Sequence, residues 1–168
     1  MSADEIAAIR PATAANVIAM LPLIRAHARF ERTAATARAE ALQAALSGPS
    51  PMLHAWMAMT EAIVGYATAT IDYSTFDGSR FVQLDCLFVR DDHRGAGIGA
   101  RLLATVRAHA AGAGIGALQW QTPAWNDDAA RFYRRSGANA SPKLRFTLPL
   151  GRALERVEPH NLGEQDGT

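Results

Sequence analysis

Cysteine is nearly absent from this chain. Cys86 is the only one in 168 residues, which excludes a disulfide framework and a cysteine-built metal cluster. Lysine is as scarce, with Lys143 alone, and the positive charge rests on arginines scattered along the sequence. Neither sign of charge is in excess: 17 basic residues against 16 acidic ones leave a formal net charge of +1. That lacks the basic surplus on which nucleic-acid binding depends, and no basic stripe accompanies the tryptophans to make a stacking platform. There is no apolar run of about 18 residues, the length that spans a bilayer. Met1–Glu5 lacks the basic start and apolar stretch of a secretory leader. What is present is ordinary for a globular domain, 49% apolar and 20% charged residues. The expectation is a soluble, cytoplasmic protein with neither nucleic acid nor membrane as partner. It has one domain over residues 1–150 and a polar tail over 151–168.

The periodicity predicts an α/β fold. Ile6–Arg10 reads as a short strand closed by Pro11. Thr13 stands as a cap before a helix with Val17, Ile18, Leu21, Ile24 and Phe30 at helical spacing, and Pro22 should kink or interrupt it. A second helix is predicted over Thr36–Leu46, stopped by Ser47-Gly48-Pro49. Three β-like runs follow, Met52–Thr60, Ile63–Ile71 and Phe81–Val89, with a turn at Asp77-Gly78, which implies an antiparallel meander. Ile98, Leu102, Leu103 and Val106 mark one face of a third helix that ends at Gly112-Ala113-Gly114. Ile115–Gln121 reads as a strand, Asn126 to about Ser136 as a helix closed by Gly137, and Leu144–Leu150 as a last strand.

Between the third run of the meander and the third helix lies Arg94-Gly95-Ala96-Gly97-Ile98-Gly99. Glycines there let the backbone approach a ligand, and the amides of a helix N-terminus favour negative charge, so the physics points to phosphate. A Walker loop is excluded because no Gly-Lys-Ser/Thr follows. Gly95, Gly97 and Ala100 formally match a dinucleotide fingerprint, but a charged pentapeptide separates them from the strand. The acidic residue expected about 20 positions on is replaced by Gln119-Trp120-Gln121. On glycines alone, a plain turn packing a helix against a sheet stays open.

A second cluster separates these readings. Arg94–Gly99, with Val89 ahead of it, resembles the cofactor loop of the GCN5-related N-acetyltransferase (GNAT) superfamily. Trp125-Asn126, Ala129, Phe132-Tyr133 and Gly137-Ala138 resemble that family's second motif. Asp72–Phe76 and Leu84–Val89 are similar to its spermidine/spermine (diamine) acetyltransferase branch, with Asp85 where that branch has a glutamate and Cys86 where it has a further acidic residue. The resemblance implies a GNAT-type mixed, mostly antiparallel sheet of about six or seven strands with about four helices. It implies an N-acetyltransferase domain acting as a homodimer, with acetyl-CoA as cosubstrate, no metal, and a small diamine- or polyamine-like primary amine as acceptor. Transfer to an aminoglycoside, an amino acid or a protein N-terminus, or a non-catalytic coenzyme-A-binding module, are the other readings.

Within that resemblance, Arg94, Gly95, Ala96, Gly97, Ile98, Gly99 and Ala100 hold the pyrophosphate, while Leu87, Phe88 and Val89 pair with pantetheine like an added strand. Asn126 is both a helix cap and a cofactor contact. Tyr133 is the candidate general acid, a phenol matched to a departing thiolate. Asp85 binds the amine or takes its proton, and Phe30 and Glu31 contact the acceptor. Cys86 reads as a small buried filler rather than a nucleophile. The five histidines show no metal-ligand spacing; none is assigned a catalytic role, and His93 borders the loop.

Overall fold

In a computed structural model that describes residues 7–148 and Leu150, five strands form one sheet in the order β1-β2-β3-β4-β5. β1 (Ala8–Pro11), β2 (His54–Met59), β3 (Ile63–Ser74) and β4 (Ser79–Val89) are successively antiparallel. β5 (Leu118–Gln119) lies parallel to β4. The predicted meander is therefore present, turned at Gly78 with φ +58°. Helices α1 (Val17–Phe30) and α2 (Ala39–Ala45) precede β2; α3 (Ile98–Gly112) connects β4 to β5 and α4 (Asp127–Arg135) follows β5.

Alternation along the strands divides the core in two. Ala55, Met57, Tyr66 and Phe88 face α1, where Met20 and Leu23 meet them. Trp56, Ala58, Ala67, Ala69, Val82, Leu84 and Val89 face α3, whose Ile98, Leu102, Leu103 and Val106 are all buried as predicted. Phe132 and Tyr133 bring α4 against this second layer.

One irregularity in β4 decides how the site is built. Cys86 pairs with Thr68, but Leu84 pairs with Ala69, so Asp85 is an extra residue with no partner on β3. Such a bulge reverses which face each later side chain takes. Val82 and Leu84 sit on the α3 side before it, Leu87 and Val89 after it, and Asp85 projects from the break. A second feature opens the sheet. β4 and β5 pair only at Val82–Leu118 and Gln83–Gln119, beyond which the two chains diverge. The outer edge of β4 from Leu84 to Val89 has no β5 partner among the described residues.

The sequence reading departs from the structure in places. Pro22 does not interrupt α1; it lies on the exposed face, where the carbonyl that loses its amide partner is open to water. The buried face of α1 is Val17, Met20, Leu23 and His27, while Ile18 is 60% exposed. β5 is two residues rather than seven, because its ladder ends where the sheet splays. Residues 144–148 form no strand: Leu144, Phe146 and Leu148 are exposed, and the short β5 offers little edge for another strand. Ile6, Pro149 and the tail over 151–168 lie outside the described residues.

Candidate active site

The splay of β4 from β5 opens a cavity of about 620 Å³, bounded by the free edge of β4, the loop after it, the N-terminus of α3, α4 and the end of α1. Of the residues assigned from the sequence to cofactor, acceptor or catalysis, all but Ala96 line it.

The loop wall is shaped by two left-handed glycines. Gly95 and Gly97 have φ of +83° and +75°, and a Cβ on either would meet nothing within 4 Å. Gly97 is also the N-cap of α3. The first amides of α3, at Ile98, Gly99 and Ala100, have no partner within the helix, and these residues face the cavity. This is a cradle with the geometry and polarity for a pyrophosphate. Arg94 ties the loop to the sheet. Its Nε donates to the Val89 carbonyl at 3.0 Å and its Nη2 pairs with Asp91 Oδ1 at 2.7 Å. Its guanidinium carbon stands 4.7 Å from the Phe30 ring centre and 5.4 Å from that of Phe88. Arg94 thus lies between the loop and the aromatic residues at the other end of the cavity. His93 borders the loop, paired with Asp92 Oδ1 at 2.8 Å.

On the α4 wall, the Asn126 side chain caps the helix by accepting from the Ala129 amide at 3.1 Å, while the residue also lines the cavity. Tyr133, two turns further on, packs against Trp120 and Phe132 with ring centres 4.9 and 5.1 Å away. Burial pushes its phenol up to about 12, with the charges of Glu31 and Cys86 adding to the shift. The phenol therefore keeps its proton throughout the neutral range. Arg131 and Arg135, one turn apart, also face the cavity. Sequence reasoning did not single them out, although their spacing of four on a helix puts both on one face.

The third wall is polar. Asp85 projects from the bulge, with Thr68 Oγ1 and Cys86 Sγ each 3.5 Å from its Oδ2. Burial and then Asp85 push the Cys86 thiol up to about 12, which leaves it unreactive and fits the filler reading. Glu31, just past α1, faces His27 Nε2 at 3.4 Å, and His27 Nδ1 lies 2.9 Å from the Tyr66 hydroxyl. His27 stacks on Phe88 at 4.8 Å and lines the cavity. It was missed because the histidines were searched for metal spacing. The legible signal was the His27–Glu31 pair at i and i+4 of one helix. Among the described residues no group of three or more His, Cys, Asp or Glu side chains is placed to hold a metal, and no helix is long and apolar enough to cross a membrane.

Burial lowers the His27 pKa from 6.5, against the opposing pull of Glu31 and Asp85 and with a further lowering from Arg94. A buried histidine held neutral makes the fold less stable in acid. Below the unfolded value of about 6.5 the unfolded chain takes up a proton that the folded chain refuses. His27→Gln, which keeps a hydrogen-bonding side chain without titrating, should flatten the loss of stability between about pH 7 and pH 5. His54, whose pKa burial also lowers, keeps its own share. Urea midpoints at the two pH values check this, and an unchanged slope assigns the acid sensitivity elsewhere.

These features have counterparts in known proteins. The acetyltransferase (GNAT) family matches residues 20–138. Thialysine N-epsilon-acetyltransferase of Bos taurus is 30% identical over 141 residues, 77% of this chain and 82% of that protein. L-ornithine N5-acetyltransferase of Arabidopsis thaliana is 27% identical over 100 residues, 60% of this chain and 44% of that longer protein. Among solved structures, an aminoglycoside acetyltransferase from an uncultured soil metagenomic sample superposes with a TM-score of 0.74 at 20% identity, over 89% of this chain and 99% of that one, a likeness of fold. With the glycine cradle, the splayed strand and this family match together, the chain belongs to the GNAT family of acetyltransferases, enzymes whose cosubstrate is acetyl-CoA.

Proposed function

We propose that the protein transfers the acetyl group of acetyl-CoA to a primary amine of a small, diamine-like molecule by direct attack, with no acetyl-enzyme. The observation that carries this reading is the convergence of Asp85 and Tyr133 on the cavity that also holds the Gly95–Gly97 cradle. Acetyl-CoA supplies the acetyl group as an activated thioester. The cradle amides and the basic side chains beside them hold its phosphates. The open edge of β4 from Leu87 to Val89 offers backbone groups to the pantetheine arm, and an amide near Leu87 polarises the thioester carbonyl. Tyr133 gives its proton to the leaving thiolate.

An alkylamine with a pKa of about 10 arrives protonated at pH 7 and must lose that proton before it attacks. Asp85 takes it, directly or through one water, while Glu31 holds a second cationic group of the acceptor. Phe30 walls the same end. The names of the ornithine and thialysine relatives support a small acceptor with more than one polar group. In the same reading one acetyltransferase domain spans residues 1–150 ahead of the tail, in the cytoplasm. It works as a homodimer, for which the exposed apolar Leu144, Phe146 and Leu148 are the support.

Release of free coenzyme A thiol from acetyl-CoA, followed across a panel of amines, tests the activity. Asp85→Asn should lower kcat/KM, by about a hundredfold or more where Asp85 acts directly and by less where a water relays the proton, and shift its pH dependence. Absence of thiol release with every amine overturns the reading.

A further inference from the structure

We infer that His27 is a positioning residue for the acceptor: neutral, it leaves Glu31 facing the cavity as an anion, and protonated it neutralises that anion, so that a cationic acceptor and a proton on His27 compete. This rests on the acetyl-transfer reading above, in which Glu31 holds a cationic group of the acceptor. The starting observation is an imidazole that is only 8% exposed and yet lines the cavity. Its ring is inclined 20° to that of Phe88, and each of its nitrogens has a polar partner.

Those partners fix which nitrogen carries the hydrogen. Glu31 Oε1 stands 3.4 Å from Nε2, and a carboxylate only accepts. Nε2 therefore bears the hydrogen, and in the neutral ring Nδ1 is left as the acceptor. Tyr66 supplies the donor. Its hydroxyl lies 2.9 Å from Nδ1, and burial pushes the phenol well above its usual range, so the hydroxyl keeps its hydrogen. Tyr66 is itself buried within β3. The tautomer of His27 is thus set from the sheet, and it sets an N–H beside the part-exposed carboxylate of Glu31 on the cavity wall.

Charged and titratable groups reach His27 from each element around it: Glu31 on its own helix, Tyr66 on β3, Asp85 on β4 and Arg94 on the loop. Cys86, also on β4, stands beside Tyr66 with its thiol kept neutral by burial. Burial is the largest influence on the ring and opposes a proton, as does Arg94, while the two carboxylates favour one. His27 is therefore neutral at pH 7 and takes up a proton only below its usual 6.5. An imidazolium beside Glu31 compensates that carboxylate, and an incoming ammonium then meets a pair with no net charge. An ammonium seated on Glu31 in turn removes the pull that holds a proton on His27 and adds a repelling charge beside it. One coupling free energy is read from two ends.

Putrescine tests this, because a diamine keeps both charges from pH 5.5 to 7.5 and any change in its affinity belongs to the protein. Its Kd is measured by calorimetry with coenzyme A in place of acetyl-CoA, so that no turnover intervenes. In the wild type Kd should weaken about fivefold or more from pH 7.5 to pH 5.5, the size of an ordinary coupling between sites. His27→Gln, compared with itself at the two pH values, should change by no more than about threefold. An NMR titration of the imidazoles in the wild type needs no variant. Saturating putrescine should lower the His27 midpoint by the same factor, as linkage requires, and leave that of His54 where it is. A variant as pH-dependent as the wild type, or a His27 midpoint indifferent to putrescine, overturns the inference and leaves acetyl transfer standing. Turnover of other amines with no binding of putrescine removes the cation site at Glu31 and the inference with it. Absence of thiol release with every amine overturns the acetyl-transfer reading beneath both.

Discussion

Tyr133→Phe should lower kcat by about a hundredfold or more while leaving KM for acetyl-CoA nearly unchanged, since a positioned general acid contributes about 10²–10⁴-fold. The split follows from where the ring and its hydroxyl lie. The ring packs between Trp120 and Phe132, and a phenylalanine fills that space with the same contacts. What the substitution removes is one proton held on the cavity wall. With the phenol pushed up to about 12 by burial, that proton is present at every pH at which the protein is assayed. Loss of the acid should therefore scale kcat without moving the acid limb of the pH profile, which belongs to amine deprotonation. Single-turnover rates, which isolate chemistry from product release, decide the matter. A wild-type rate there makes Tyr133 a packing residue of α4.

How far the sequence shows such a site depends on which physical signal each part carries. α3 is legible because Ile98, Leu102, Leu103 and Val106 repeat at helical spacing, and all four are buried. The cradle is legible because glycine is the residue that takes the φ values at positions 95 and 97 without strain. The bulge at Asp85 is written in the chain as a change of parity, from Val82 and Leu84 to Leu87 and Val89. A strand template of strict alternation does not look for it. α1 misled in a different way. Val17, Ile18, Leu21 and Ile24 satisfy one helical stripe, yet the sheet buries Val17, Met20, Leu23 and His27 instead. Two apolar stripes overlap on that helix, and tertiary contact chooses between them.

Leu144–Leu150 failed for a related reason. Its alternation of Leu144, Phe146 and Leu148 is a sound local signal, but a strand exists only where an edge receives it. The left-handed turn at Arg32, where φ is +59°, has no local signal at all, since nothing in Glu31-Arg32-Thr33 marks a position where glycine would be usual.

Gly97→Val should abolish most of the thermal stabilisation that acetyl-CoA gives the wild type. At a ligand concentration 100-fold above Kd, linkage supplies about 2.7 kcal/mol, or roughly 5–10 °C in Tm for a chain of this size. Gly97 is the N-cap of α3 with φ +75° and lines the cavity, and a Cβ there would meet nothing within 4 Å. Two effects then act together. A β-branched residue is strained at positive φ, which costs about 1–3 kcal/mol in the unliganded protein. A side chain there also fills the cradle and turns the amides of Ile98 and Gly99 away from an anion. The first effect lowers the Tm of the variant with or without ligand; only the second removes the ligand-induced shift. Comparing the shift within each protein, rather than the Tm values between them, separates the two. If Kd weakens about a hundredfold, the same ligand concentration stabilises the variant by only about 0.4 kcal/mol, or roughly 1 °C. A variant that starts at a lower Tm yet gains the full wild-type shift carries strain at Gly97 but binds normally, and the phosphates then lie elsewhere in the cavity.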